Sequence, residues 1–440
     1  MAVLKLMISL TLNPHQTHSV SLPVCALSKQ GHRLLTSLDT ASGDTTASHR
    51  LIRKFITSSS KSVALDTLSH LLNSNTHYSS LALPMYERIC ETSWFSWNPK
   101  LVSSVIASLE KQGRNEQAEI LISDSIQKLG SKERDVALFY CDLIESFSKN
   151  GSKESVFDYY TRLKKILPST SSSLRRKSLE AMVSALCTLD LPHNAEEIVE
   201  EMRTEGLKPS GFVFRTIVLA YGRLGLFVEM RRILDQMESS GYTLDTICFN
   251  IVLTSYGTHG ELSEMVSWIR KMKKSHTPLS IRTYNTVLNS CPSIISLLQD
   301  PELLPLSIEA LMEELQIVES VLIQELIDSR MFAEILKWSP LEGKLDLHGM
   351  HLGSVYVIIL QWIEELRSRF HGENSTIPAE VVVVCGLGKH SNIRGESPVK
   401  SLVTEMMIRL KSPMRIDRRN IGCFVAKGKN VKTWLCSTDI

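Results

Sequence analysis

Between residues 176 and 280 apolar side chains recur on one spacing. Phe214, Ile217, Val218 and Tyr221 stand at i, i+3, i+4 and i+7, and Met230, Ile233, Leu234 and Met237 repeat that interval. A period of 3.6 residues puts each quartet on one face, so each predicts an amphipathic helix. Moving 35 residues forward returns Phe249, Val252, Leu253, Tyr256 and then Met265, Trp268, Ile269, Met272. Moving 35 back returns Leu179, Met182, Val183, Leu186 and then Ala195, Ile198, Val199, Met202. All 24 positions are apolar. Gly225 and Gly260 fall between the paired helices, where a tight turn calls for positive φ, and Gly206 and Gly241 close the second helix. The repeating unit is a helical hairpin, with copies at 176–210, 211–245 and 246–280.

Looser copies precede these. Val102, Val105, Ile106, Leu109, Ala118, Leu121 and Ile122 keep the internal offsets in 99–136, as do Tyr140, Leu143, Ile144, Phe147, Val156, Tyr159, Tyr160 and Leu163 in 137–175. Residues 60–98 are read as one more degenerate hairpin. Tyr284, Val287, Leu288 and Cys291 open a partial unit over 281–291, after which Pro292, Pro301 and Pro305 break the register. A hairpin of this size cannot bury its apolar face alone, and stacked neighbours make a continuous core with a concave groove. The spacing therefore predicts an all-α solenoid of helical hairpins over 99–291. Residues 292–340 read as a helical linker or cap, with Leu311, Leu315, Val318 and Leu322 as its stripe and Glu309, Glu313, Glu314, Glu319 and Glu325 facing away.

After Pro340 the period changes. Segments 344–348 and 380–385 read as strands, and 354–370 and 398–410 read as helices, with closing strands expected in 415–427 and 431–435. Alternating strand and helix predicts a small α/β sandwich over 341–440, its four-valine strand buried on both faces.

Composition then narrows the function classes. Forty-nine Lys and Arg against 47 Asp and Glu leave a net charge of +2, so no global basic character points to nucleic acid. Locally the balance differs: residues 394–432 hold ten Lys and Arg against Glu396, Glu405 and Asp417. Nine scattered cysteines include no Cys-x-x-Cys pair, which argues against a zinc ribbon or thioredoxin site and fits reduced thiols. No apolar run approaches the roughly 20 residues of a membrane helix, so no membrane partner is expected. Residues 1–48 carry no acid before Asp39 but many Ser and Thr, the composition of a transit peptide rather than of a folded segment. Val24-Cys25-Ala26 resembles a chloroplast processing site, which makes the chloroplast the expected address and the mitochondrion the alternative.

Two C-terminal motifs carry chemistry. Leu345-Asp346-Leu347-His348-Gly349 alternates strictly, so a two-residue strand period sends both leucines to one face and Asp346 with His348 to the other. Cys385-Gly386-Leu387-Gly388-Lys389-His390-Ser391 follows the valine strand. There Gly386 and Gly388 let a backbone approach phosphate and Lys389 supplies charge. His348-x-x-His351 invites a zinc reading, but no third ligand is evident and no metal site is assigned. The bland alternative makes Asp346 a helix cap and His348 a buried hydrogen-bonding group.

Tyr284-Asn285-Thr286-Val287-Leu288, Phe249-Asn250-Ile251-Val252-Leu253 and Gly206-Leu207-Lys208-Pro209-Ser210 resemble the pentatricopeptide repeat. That resemblance implies single-stranded RNA as partner, read by the fifth and last residues of each repeat. The pairs are Glu180 with Ser210, Arg215 with Asp245, and Asn250 with Ser280, and Asn285 has no intact partner. The C-terminal motifs resemble the Smr (small MutS-related) domain, marked by a Leu-Asp-x-His strand and a Thr-Gly-x-Gly loop. Cys385 stands here in place of the Thr, and Leu387 where Trp is frequent. The resemblance implies a plant organelle protein with an RNA-cutting or RNA-clamping domain, Asp346 orienting His348 and the Gly386, Gly388 and Lys389 loop holding phosphate. It leaves the cofactor unspecified, with a divalent metal compatible, and admits DNA and organellar RNA-processing proteins as further partners. The rival class is a non-catalytic scaffold that protects a transcript end or docks proteins.

Overall fold

The structure is a computed structural model. It describes residues 27–41, 44–73, 77–167, 170–371, 377–386 and 397–437. The chain divides between Leu224 and Gly225 into two compact units.

In the first unit, α1 (Lys29–Thr40), α2 (Thr45–Ser58), α3 (Lys61–Asn73) and α4 (Ala82–Cys90) precede the countable repeats. The leading segment is thus helical from residue 29, contrary to the expectation that 1–48 lacks a fold. Leu34 and Leu38 are buried on α1, and Ser28 caps it by accepting the Gly31 N–H. Residues 1–26, including the expected processing site, lie outside the described residues.

Next come α5 (Pro99–Lys111), α6 (Asn115–Leu129), α7 (Glu133–Lys149), α8 (Lys153–Ile166), α9 (Ser172–Thr188), α10 (Pro192–Thr204) and α11 (Gly211–Arg223). Each hairpin closes on itself, α5 on α6, α7 on α8 and α9 on α10, and the first helices α5, α7, α9 and α11 pack in succession. The second unit continues with α12 (Phe227–Ser239), α13 (Thr246–Thr258), α14 (Leu262–Lys274) and α15 (Ile281–Asn289), where α13 packs on both α14 and α15. All 24 apolar positions of the three regular repeats are buried, none above 8% exposed. Gly225 and Gly260 adopt φ of +70° and +74°, and Gly206 and Gly241 adopt +71° and +86°. These are left-handed turns that a side chain resists.

The linker differs in detail from the expected single stripe. Helices α16 (Pro292–Leu297), α17 (Ile308–Glu314), α18 (Ile317–Ile327) and α19 (Met331–Ile335) are short, and Leu315 is extended, ending α17. Glu319 does not face away. It is fully buried, its carboxylate accepting the Ser293 N–H at 2.9 Å and the Gln316 N–H at 3.2 Å. Two helix starts, α16 and α18, leave N–H groups that one carboxylate satisfies. Glu325 likewise turns inward to meet Arg270 and Lys273, each at 2.7 Å, so α18 covers α14.

The C-terminal part holds a five-stranded sheet in the order β1-β2-β3-β5-β4: β1 (Leu336–Trp338), β2 (Glu342–Asp346), β3 (Glu380–Val384), β4 (Arg415–Ile416) and β5 (Cys423–Lys427). Only β2 and β3 run parallel, as the intervening α20 (Leu352–His371) requires. Val381 to Val384 are all below 9% exposed, as a strand with two covered faces must be. Helix α21 (Pro398–Arg409) follows β3, and α22 (Gly428–Ser437) takes the place of the strand expected at 431–435. Val431, Trp434 and Leu435 sit at i, i+3 and i+4, a helical face. All three are buried, and the Trp434 Nε1–H donates to the Leu410 carbonyl at 2.8 Å. Five residues are too few to separate the two periods by pattern alone.

Leu253→Ala, at a fully buried repeat position, should cost about 2–5 kcal/mol and lower the urea midpoint. Val228→Ala, at a position 69% exposed, should move it by about 0.5 kcal/mol or less.

Candidate functional site

Strand β2 ends at Asp346, yet its alternation persists two residues further because the Leu347 N–H donates to the Val384 carbonyl at 2.9 Å. Leu345 and Leu347 are buried, whereas the side chains of Asp346 and His348 are 45% and 62% exposed. The two polar side chains meet. Asp346 Oδ1 accepts the His348 N–H at 3.1 Å and the ring Nδ1–H at 2.7 Å. Partial burial alone would raise the Asp346 carboxyl, but the His348 amide and ring outweigh it and hold the group below its ordinary value. A neutral His348 bound through Nδ1–H keeps Nε2 free of a proton. The pair sits at the surface, so His348 is not the buried hydrogen-bonding group of the bland alternative.

The second motif closes on the first. Gly386 has φ +80°, and a Cβ there would lie 3.4 Å from His348 Nε2, so the glycine backs the imidazole. Its amide is not the free phosphate donor expected. The Gly386 and Cys385 N–H groups both donate to the Gly422 carbonyl, at 3.2 and 2.9 Å, tying the loop to the β4–β5 turn. Gly388 and Lys389 lie outside the described residues. Cys385, 7% exposed, has its thiol pushed up to about 12 by burial, which makes it a packing group rather than a nucleophile. In the turn bound to Gly386, Arg418 and Arg419 are exposed, as is Arg415 on β4.

The reading positions fare less uniformly. Arg215 is half-buried on α11, and Asp245 caps α13 by accepting the Cys248 N–H at 2.9 Å. Asn250 is 4% exposed: its amide donates to Ser280 Oγ at 3.3 Å and its carbonyl accepts the Thr283 hydroxyl at 2.8 Å. Ser280 in turn caps α15 through the Thr283 N–H at 3.2 Å. Asn250 and Ser280 therefore engage one another and the next repeat, where sequence reasoning expects them open to a base. Asn285 departs further. It is 8% exposed and faces the turn after His348, with its amide on the Gly349 carbonyl and its oxygen on the His351 N–H and the Ser354 hydroxyl, all at 2.8 Å. Contact between residues 64 to 69 positions apart has no local sequence signal.

His351 does not join His348. Its Nδ1 accepts the Asn289 amide at 2.6 Å, and burial pushes the ring below its ordinary value. Among the described residues no group of three His, Cys, Asp or Glu side chains could hold a metal ion. Among the same residues no helix is long and apolar enough to cross a membrane.

The fold and its seam of buried repeat positions define a helical-hairpin repeat protein with a C-terminal sheet. A model described as PPR repeat matches residues 178–207 and 212–242, and one described as PPR repeat family matches 244–292. A pentatricopeptide repeat-containing protein of Arabidopsis thaliana, At2g17033, is 50% identical over 416 residues, spanning 93% of this chain and 82% of its own. The chain belongs to the pentatricopeptide repeat family. A chloroplastic member from Arabidopsis thaliana, At5g48730, is 24% identical over 149 residues, 34% of this chain and 28% of its own. Among solved structures, the maize pentatricopeptide repeat protein PPR10 matches 87% of this chain and 50% of its own at a TM-score of 0.41 and 15% identity.

A histidine with a lowered folded value binds its proton more weakly folded than unfolded. The contribution of His351 is therefore whole above about 6.5 and is lost as pH falls below it. Between pH 7 and 5 the wild-type melting temperature should fall further than that of His351→Gln, measured by circular dichroism.

Proposed function

We propose that this protein binds single-stranded RNA through its repeats and acts on it through the C-terminal part, as an organellar RNA-processing or RNA-stabilising factor. Membership of the pentatricopeptide repeat family supports the first half, and PPR10 has been solved in complex with an 18-nt psaJ RNA element. The Smr resemblance of the Leu-Asp-Leu-His and Gly-x-Gly motifs supports the second half. The observation that carries it is the 2.7 Å Asp346–His348 contact, exposed and backed by Gly386.

In this reading Asp346 holds the Nδ1–H tautomer and steadies the imidazolium that forms. His348 Nε2 takes the proton of the oxygen attacking phosphorus, and the protonated ring can return a proton to the leaving oxygen. Arg418 and Arg419, exposed in the turn whose Gly422 carbonyl holds Gly386, supply positive charge on that side of the pair. The loop amides are absent from this scheme at Gly386, whose N–H is already bonded to Gly422. The rival reading, a clamp that protects a transcript without cutting it, shares the same surface and differs only in whether a bond breaks.

With a 5′-labelled oligo(U) RNA, His348→Ala and Asp346→Asn should slow cutting by roughly 10²–10⁴-fold while leaving affinity near wild type. Variants that cut as fast as the parent sink the enzymatic reading. A plastid address accords with the acid-free, Ser- and Thr-bearing composition of residues 1–26, ahead of the first helix, and with the chloroplastic relative. The intact chain fused at its C-terminus to a fluorophore should enter plastids, and exclusion from them would refute that address.

A further inference from the structure

Asn285 occupies the position at which a repeat would present a base-reading side chain, yet both polar atoms of its side chain are directed at the turn that follows His348. The amide holds the Gly349 carbonyl, and the oxygen holds the His351 N–H and the Ser354 hydroxyl. Those last two groups belong to the start of α20, so a residue of another helix supplies the acceptor that a local cap would otherwise provide. One helical turn along α15, Asn289 holds the His351 ring. The helices approach closely here: a Cβ on Gly353 would lie 3.2 Å from both Leu288 Cβ and Ile294 Cγ2. Gly349 itself adopts φ +76°, which glycine reaches without strain, and Asn285 fixes the direction of its carbonyl. The turn is thus anchored on both sides of His348, by Leu347 to β3 and by Gly349 and His351 to α15.

We propose that Asn285 is a positioning residue for His348: the final repeat, and not the sheet alone, holds the imidazole against Asp346 and Gly386. The functional meaning rests on the reading of Asp346 and His348 as the reacting pair, while the positioning stands apart from it. Because α15 ends the repeat track and also supports the turn, a strand lodged on the final repeats would meet the pair at a set distance. Removing Asn285 leaves the Gly349 carbonyl and the His351 N–H without their partner, which frees the turn to rotate His348 away.

The test uses the full chain with 15N-labelled histidine, His348 being assigned through His348→Gln. At a pH where the ring is neutral, wild-type His348 should show the Nδ1–H tautomer. Asn285→Ala should move its two nitrogen signals toward the averaged values of a free imidazole and speed exchange of the His348 amide by roughly tenfold or more. Ser354→Ala, which deletes one partner of Asn285 but leaves Gly349 and His351 held, should change neither. Should Asn285→Ala fail to fold, Asn285→Asp keeps both acceptor contacts and replaces the N–H given to Gly349 with a carboxylate oxygen that repels that carbonyl; it should show the same faster exchange. A folded Asn285 variant with unchanged His348 signals overturns the proposal, and so does a Ser354→Ala protein that moves them equally. A wild-type protein that cuts no oligo(U) RNA would refute the enzymatic reading, and the tautomer shift would still decide the positioning.

Discussion

An amphipathic hairpin of two helices has more apolar surface than its own partner helix covers, and every other feature of the repeats answers to that excess. Leu179, Met182, Val183 and Leu186 on α9 reach full burial only with α10 on one side and α7 and α11 along the stack. The same demand reappears where the regular copies stop. Helix α18 lies over α14, and Glu325 reaches Arg270 and Lys273 across that contact. A buried carboxylate such as Glu319 is tolerable there because two backbone N–H groups satisfy it. The cap therefore closes the stack with apolar side chains, Leu322, Ile323 and Leu326, pinned by the polar contacts of Glu319 and Glu325.

Polar contacts join some of the hairpins beside the apolar face. At two junctions the fifth residue of a repeat meets the third residue of the next: Cys141 contacts Ser178 at 3.5 Å, and Asn250 meets Thr283 at 2.8 Å. Asn285 has no following repeat, and the start of α20 takes that role, with Ser354 and the His351 N–H as its partners. The C-terminal part thus docks through the same position that joins repeat to repeat. That continuity brings the turn carrying His348 to the end of the track.

The repeats were legible because periodicity is a local property: a spacing of 3.6 residues with a fixed 35-residue recurrence names the buried face without knowing what covers it. The Asp346–His348 pair was legible for the same reason, since a two-residue period and an intervening leucine place both side chains together. Legibility failed where a short segment satisfies two periods at once, as at Val431, Trp434 and Leu435. It failed again where a polar residue had distant candidates to bond. Glu319 on the outside and Glu319 under two helix starts are the same letter in the same pattern.

Hairpins, their turns at Gly225 and Gly260, the alternation around Asp346, and the change from all-helical to mixed structure after Pro340 are set by the chain read residue by residue. Each depends on neighbours within a few positions. The burial of Asn250 and Asn285, the engagement of the Gly386 amide by Gly422, and the separation of His351 from His348 were decided only when distant segments packed. A hydrogen-bonding group takes whichever partner the fold delivers to it, and the spacing of letters carries no record of that partner.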